Sequence, residues 1–279
     1  MDELNNKLPK IDLYGKEIPK GSVFFKIPKN IGTILMASTS LLEGHPQETT
    51  SLKWIWKSKK NSGACWYIGD NGFAAFSFDK SVDNAKGIEI NFDNVTDLHK
   101  GLTKKYVNYI LIGSEYQHTD YWFLYMNNST PVFQIEEKYN NENEEEGKYT
   151  FLYNFLSLAE KQWTNKLISR MPSDIKEKGF ISFNYVADKY RIKVNLGISF
   201  IEYASLDNQH TLRYEKDEIH SLSFVNGGLV MTLKTKKEEK HFFGLFQKIK
   251  DEQIGFSLQH LSNQSYFLYA LRTLWNINL

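Results

Sequence analysis

The chain has 279 residues, 41% hydrophobic and 15% aromatic, and its 34 Lys and Arg against 33 Asp and Glu leave a formal charge of +1. That length and apolar content support one large domain or two of ordinary size, and the balanced charge sets up no field that would draw a polyanion, so no nucleic-acid partner is expected. The one cysteine, Cys65, excludes an internal disulfide framework and a multi-cysteine zinc site.

Residues 1–20 are polar, carry Pro9 and Pro19 and lack the apolar stretch of a signal peptide. They are expected to form a loosely held arm. The longest apolar runs fall far short of the roughly 20 residues a spanning helix needs, so the expected compartment is the cytoplasm. From Gly21 a period-two pattern takes over: "SVFFKIP", "GTILMAS" and "LKWIWKS" have strand character, with Leu52, Trp54 and Trp56 alternating against Lys53, Ile55 and Lys57. "CWYIG" and "GFAAFSF" flank a turn signal at Asp70-Asn71. "GIEINF", "VNYILIG", "YWFLYM" and "PVFQIEE" follow, separated by polar turn material. Short strands at this spacing predict an antiparallel sandwich or barrel.

The acidic "YNNENEEEGK" at 139–148 reads as an exposed loop. Beyond it Leu152, Leu156, Ala159, Trp163 and Leu167 recur at helical steps, which predicts an amphipathic helix stopped by Pro172. The polar "MPSDIKEKG" (171–179) reads as a domain boundary. Strand patterns then resume with "GFISFNYV", "YRIKVNL", "GISFIEYA", "HTLRYE", "IHSLSFV", "GLVMTLKT" and "KHFFGLF". The mixed-charge "KTKKEEKH" at 234–241 reads as a hairpin tip. A closing helix starts near "SNQS", where Ser262 or Asn263 can cap it, and its apolar face carries Phe267, Leu268, Leu271, Trp275 and Leu279.

The order of strands followed by one helix thus occurs twice. "FLSLAEKQWTNKL" (155–167) and "FLYALRTLWNINL" (267–279) share Phe-Leu at the start, Trp at the ninth place and Leu at the thirteenth. Val95 and Leu98 match Ile219 and Leu222, and "GFAAFSF" at 72–78 matches "GISFIEY" at 197–203. These correspondences predict a tandem duplication.

Strands closed by a C-terminal helix with an inward Trp resemble the pleckstrin-homology (PH)-like superfold, and "YEKDEIHSLSFVNGGLVMTLKTKKEEKHFF" is similar to the middle strands of PH and GRAM-type domains. The resemblance covers roughly 50–167 and 179–279. It implies a mostly β, α+β fold: two half-open antiparallel barrels, each capped by an amphipathic helix, with Trp163 and Trp275 as structural caps. The expected organisation is an arm at 1–20, a first PH-like domain at 21–170 with an N-terminal strand extension, and a second at 179–279.

No phosphate-binding glycine loop, metal-binding His motif or nucleophile elbow appears. His118 and Asp120 in "QHTDY" read as a turn pair, and the carboxylates of "DNVTD" (93–97) have too few acidic neighbours for a metal. The expectation is a non-enzymatic adaptor with no metal or cofactor, binding a protein partner along a strand edge or beside the helix, as the resemblance implies. An alternative is peripheral binding to anionic, phosphoinositide-like lipid. Lys189, Arg191 and Lys193 alternate along one strand face where lipid-binding PH domains carry a basic signature, and Lys57, Lys59 and Lys60 cluster in the first half. A further alternative is an enzyme with a site between the halves.

Overall fold

A computed structural model of the chain describes residues 8–18, 24–40, 44–47, 53–56, 62–79, 81–108, 115–140, 146–187, 190–206, 210–234, 247–250 and 253–277. The chain divides into two compact units, Met1–Asn165 (unit 1) and Lys166–Leu279 (unit 2). It is mostly β, with two helices among the described residues. Neither is long and apolar enough to cross a membrane.

Unit 1 contains β1 (Ile34–Ser40), β2 (Gly44–Gln47), β3 (Lys53–Trp56), β4 (Ser62–Gly69), β5 (Gly72–Asp79), β6 (Lys86–Asn91), β7 (Asp97–Asn108), β8 (Glu115–Asn127) and β9 (Thr130–Asn140). One antiparallel sheet has the order β1-β4-β5-β6. The other has the order β2-β3-β9-β8-β7, antiparallel except where β3 meets β9. A 3-10 turn at Phe92–Asn94 links the two sheets. Asp70 and Asn71 make the tight β4–β5 turn, and the flanking glycines are required: a Cβ on Gly69 or Gly72 would lie 2.1 Å from the carbonyl oxygen of Ile31 or Ile90.

The central strands β4 and β5 of the first sheet are buried on both faces. Register puts Trp66 opposite Ala75 and Ile68 opposite Phe73 on the inner face. There Phe73 packs against Tyr125, Phe133 and Phe155, and Trp66 lies 5.0 Å from Phe155. Cys65, Tyr67, Ala74 and Phe76 form a second apolar cluster on the outer face with Ile31 and Ala37, and Leu8, Ile18, Phe24, Phe25 and Ile34 pack onto it.

This outer layer corrects two expectations. Residues 8–18 are a packed turn rather than a loose arm: Leu13 is buried, and the Asp12 carboxylate accepts the backbone N–H groups of Tyr14 and Lys16. Residues 24–28, expected as a strand, are irregular covering chain, with Lys26 O accepting the Tyr67 hydroxyl at 2.6 Å.

Helix α1 (Glu146–Lys178) runs across the unit boundary. Leu152, Phe155, Leu156, Ala159 and Trp163 are buried in unit 1. Pro172 does not stop the helix, and 171–178 is helical rather than a linker. The reason is burial: Met171 belongs to the unit 2 core, and Leu167, Ile168 and Ile175 pack against it. That burial outweighs the lost N–H bond. Of the expected acidic loop, Tyr139 and Asn140 end β9 and 146–148 begin α1, while 141–145 lie outside the described residues.

Unit 2 contains β10 (Phe180–Ala187), β11 (Tyr190–Gly197), β12 (Phe200–Ser205) and β13 (Thr211–Glu215) as a consecutive antiparallel sheet. A 3-10 turn at Lys216–Glu218 leads to β14 (Ile219–Val225), β15 (Gly228–Leu233), β16 (Gln247–Lys250) and β17 (Gln253–Ser257), in the order β14-β15-β17-β16. Helix α2 (Gln264–Trp275) follows. Both sheets and α2 contribute to one core, including Phe183, Val194, Tyr203, Met231, Phe256, Phe267 and Trp275. The "KHFFGLF" segment and all of the 234–241 run except Lys234 lie outside the described residues.

Neither expected cap acts at α2. Asn263 adopts a left-handed conformation without a side-chain cap bond, and Ser262 Oγ instead accepts the N–H of Asn184 on β10. The 3-10 turns at Val82–Asn84 in unit 1 and Leu258–His260 in unit 2 have no counterpart in the other unit among the described residues. Setting these aside with the β2–β3 hairpin and β16, the element order is the same in both units: four strands, a 3-10 turn, three strands, a helix with a buried Trp. Gly197 ends β11 before the Ile198–Ser199 turn, as Gly69 ends β4, whereas Gly72 begins β5.

Candidate functional site

β14 is an edge strand whose only pairing among the described residues is with β15. The two strands meet at Asn226-Gly227, both with positive φ (49° and 74°), the conformation a two-residue hairpin turn requires and that Asn and Gly supply at least cost. Leu222 faces the same side as buried Met231, and Phe224 the same side as buried Leu229. Yet Leu222 is only half-buried, and Phe224 and Val225 are exposed. Edges are normally blunted by charge, Pro or shortness. β14 has one irregularity, between Ile219 and Ser221, and no lysine or proline along its length.

Beside this edge lies a groove of about 300 Å³ lined by Lys216, Ile219, Leu222, Trp275 and Ile277, with His220 and Ser221 completing the wall. Ligand pockets run from about 300 to 1,000 Å³, so this one has room for one or two side chains. Each wall has a local cause. Trp275 is fixed by its indole N–H, which donates to Gly197 O at 2.9 Å within the core. Asn276, left-handed at φ 51°, ends the helix and turns the chain back so that Ile277 borders the groove. Lys216 extends its ammonium to Trp275 O at 2.7 Å, a cation on the last turn of a helix, where the dipole favours it. Among the described residues its lining has no cysteine or carboxylate, and its apolar side chains lie beside a strand edge that pairs with no further described strand.

The basic residues singled out in the sequence lie elsewhere. Lys189, Lys57, Lys59 and Lys60 fall outside the described residues. Arg191 is exposed and Lys193 half-buried on the outer face of β11, opposite Val186 and Asn184 on β10. That face carries both signs of charge. Ser182 donates to Asn195, Asn195 donates to Glu202 at 2.9 Å, and Arg213 bonds Glu215 at 2.6 Å while its guanidinium sits 3.6 Å over Phe200.

Trp163 and Trp275 are 1% and 3% exposed. His118 and Asp120 lie within β8, not in a turn; the 13-residue strand absorbs the polar "QHTD" as its edge-to-middle segment. Asp93 accepts from the Asn71 amide at 2.7 Å, and Asp97 from the Thr96 hydroxyl at 2.8 Å. Among the described residues no three His, Cys, Asp or Glu side chains gather as metal ligands.

Of the groove residues, the sequence singled out Trp275 as a structural cap and Ile219 and Leu222 as matches to Val95 and Leu98, and it assigned none of them to a binding groove. The available signal was "SLSFV" next to an Asn-Gly turn, a strand with too many apolar residues for a wet edge. No protein-family model matches the chain, and no curated protein matches it.

Proposed function

We propose that the chain is a non-enzymatic adaptor built from two PH-like units, and that unit 2 binds a protein partner by adding an extended segment of it to the free edge of β14. The observation that carries this reading is the apolar groove beside an exposed strand edge that pairs with no further strand among the described residues. Strand addition of this kind draws affinity from main-chain hydrogen bonds and specificity from pockets for alternate side chains, and β14 offers both. The PH-like assignment is supported by the shared order of strands, turn and Trp-bearing helix in the two units.

Binding to anionic lipid through Arg191 and Lys193 is the weaker reading, because Glu202 and Glu215 share their sheet face. A random peptide library panned on the full chain and on a Leu222→Glu variant separates the two. Peptides recovered by the native chain and lost by a folded Leu222→Glu variant support strand addition. Salt-sensitive sedimentation with phosphatidylserine vesicles, and no recovered peptide, would replace it with the lipid reading.

A further inference from the structure

The two units differ at the turn that joins their sheets. The 3-10 turns at Phe92–Asn94 and Lys216–Glu218 occupy the same place in their units, between the two sheets. They are anchored alike: the Phe92 N–H donates to Asn71 O at 2.9 Å and the Lys216 N–H to Ser199 O at 2.6 Å. Asn71 and Ser199 are each the second residue of the corresponding hairpin turn, so Phe92 and Lys216 are structural counterparts. Val95 and Ile219 then end the two turns, and Leu98 and Leu222 follow in the next strand.

In unit 1 the Phe92 side chain is fully buried, its ring 5.6 Å from Trp163 and stacked 6.3 Å from Tyr125, and Val95 and Leu98 are buried around it. Lys100 on β7 also reaches across to Glu160 on α1 at 2.6 Å, tying the edge strand to the helix. In unit 2 the Lys216 side chain reaches the end of α2 instead, Ile219 and Leu222 are left half-buried, and no described residue fills the groove beside Trp275.

We infer that the partner segment seats one aromatic side chain in this groove, against Trp275, as Phe92 seats against Trp163, and that unit 1, with Phe92 in place, is closed to such a segment. An aromatic ring suits the site because it fills a small apolar space with few rotamers to freeze. This inference rests on strand addition at β14 and names the side chain that the edge selects.

The test uses peptides panned from a random library on the full chain. They share one Phe, Tyr or Trp at a fixed position, and changing it to Ala weakens binding about thirty-fold or more, as for other interface anchors. Lys216→Phe, which supplies the ring from within as unit 1 does, abolishes binding, while Arg191→Phe, the same kind of change on the exposed face of β11 away from the groove, retains it. The peptide results stand even if Lys216→Phe fails to fold. Peptides that protect β14 amides from hydrogen exchange yet share no aromatic position overturn the anchor and leave strand addition standing. Peptides that protect other segments, or no peptides at all, overturn both.

Discussion

Cys65 gives a direct readout of the outer layer of unit 1, because it is the chain's one cysteine and is fully buried beneath residues 24–26. Burial pushes its thiol above the ordinary range, opposed by weaker hydrogen bonding from Phe25, Tyr67 and Lys26. Phe24 lies 5.9 Å from the Tyr67 ring and Phe25 meets Phe78 edge-on at 4.9 Å, both only partly buried. A fully buried Phe contributes about 1.5–3 kcal/mol, so a partly buried pair contributes about 2–3 kcal/mol together. Replacing both with Ala should raise the population with this cover lifted by about 30- to 150-fold, at 1.4 kcal/mol per decade. The labelling rate of Cys65 by a thiol reagent at fixed pH should rise by the same factor, provided the cover opens and closes faster than Cys65 is labelled. Global stability, followed by urea unfolding, separates local lifting from whole-unit unfolding. A rise of less than about threefold would refute the assignment of residues 24–26 as the cover, since it would leave under about 1 kcal/mol for both rings.

Two further outcomes follow from buried groups and a third from the proline within α1. The Tyr125 hydroxyl is buried without a hydrogen-bond partner among the described residues, so Tyr125→Phe should be neutral or stabilising by up to about 1 kcal/mol in urea unfolding; a loss above about 1 kcal/mol would reveal a partner. Burial holds His99 below its usual range, against a smaller upward pull from Asp97. The folded protein then binds fewer protons than the unfolded chain below about pH 6.5, so stability that is full above that pH falls as the solution is acidified. His99→Gln should flatten this limb, and an unchanged slope would place the effect elsewhere. Pro172→Ala restores a helical N–H and should stabilise by about 1–2 kcal/mol, the roughly 3 kcal/mol propensity gain being offset by a freer unfolded chain; a Tm below that of the native chain would show the proline to be fitted to its site.

Much of the strand pattern was legible because half-buried strands alternate: Ile192 and Val194 are buried while Arg191 is exposed on the same strand. The two helices were legible from their 3.6-residue apolar stripes. The outer layer over β4 and β5 was not, although its trace is present. "CWYI" and "FAAF" are apolar without a break, which a sheet with one wet face does not need. β7 was hidden because Asp97 and His99 are polar yet buried, so the alternation that marks a strand is erased. Pro172 misled because local propensity was read without the core that Met171 and Ile175 join. At the groove, Lys216 stands where the corresponding turn of unit 1 has Phe92, a relation visible only when the turn hydrogen bonds of the two units are compared.

The most direct test of β14 as the binding edge is hydrogen exchange of the full chain with and without a peptide selected on it. The account predicts slowed exchange concentrated at residues 219–225, with little change in β11 or in unit 1. Protection centred on β11 and the face carrying Arg191, or protection that leaves 219–225 untouched, would contradict it.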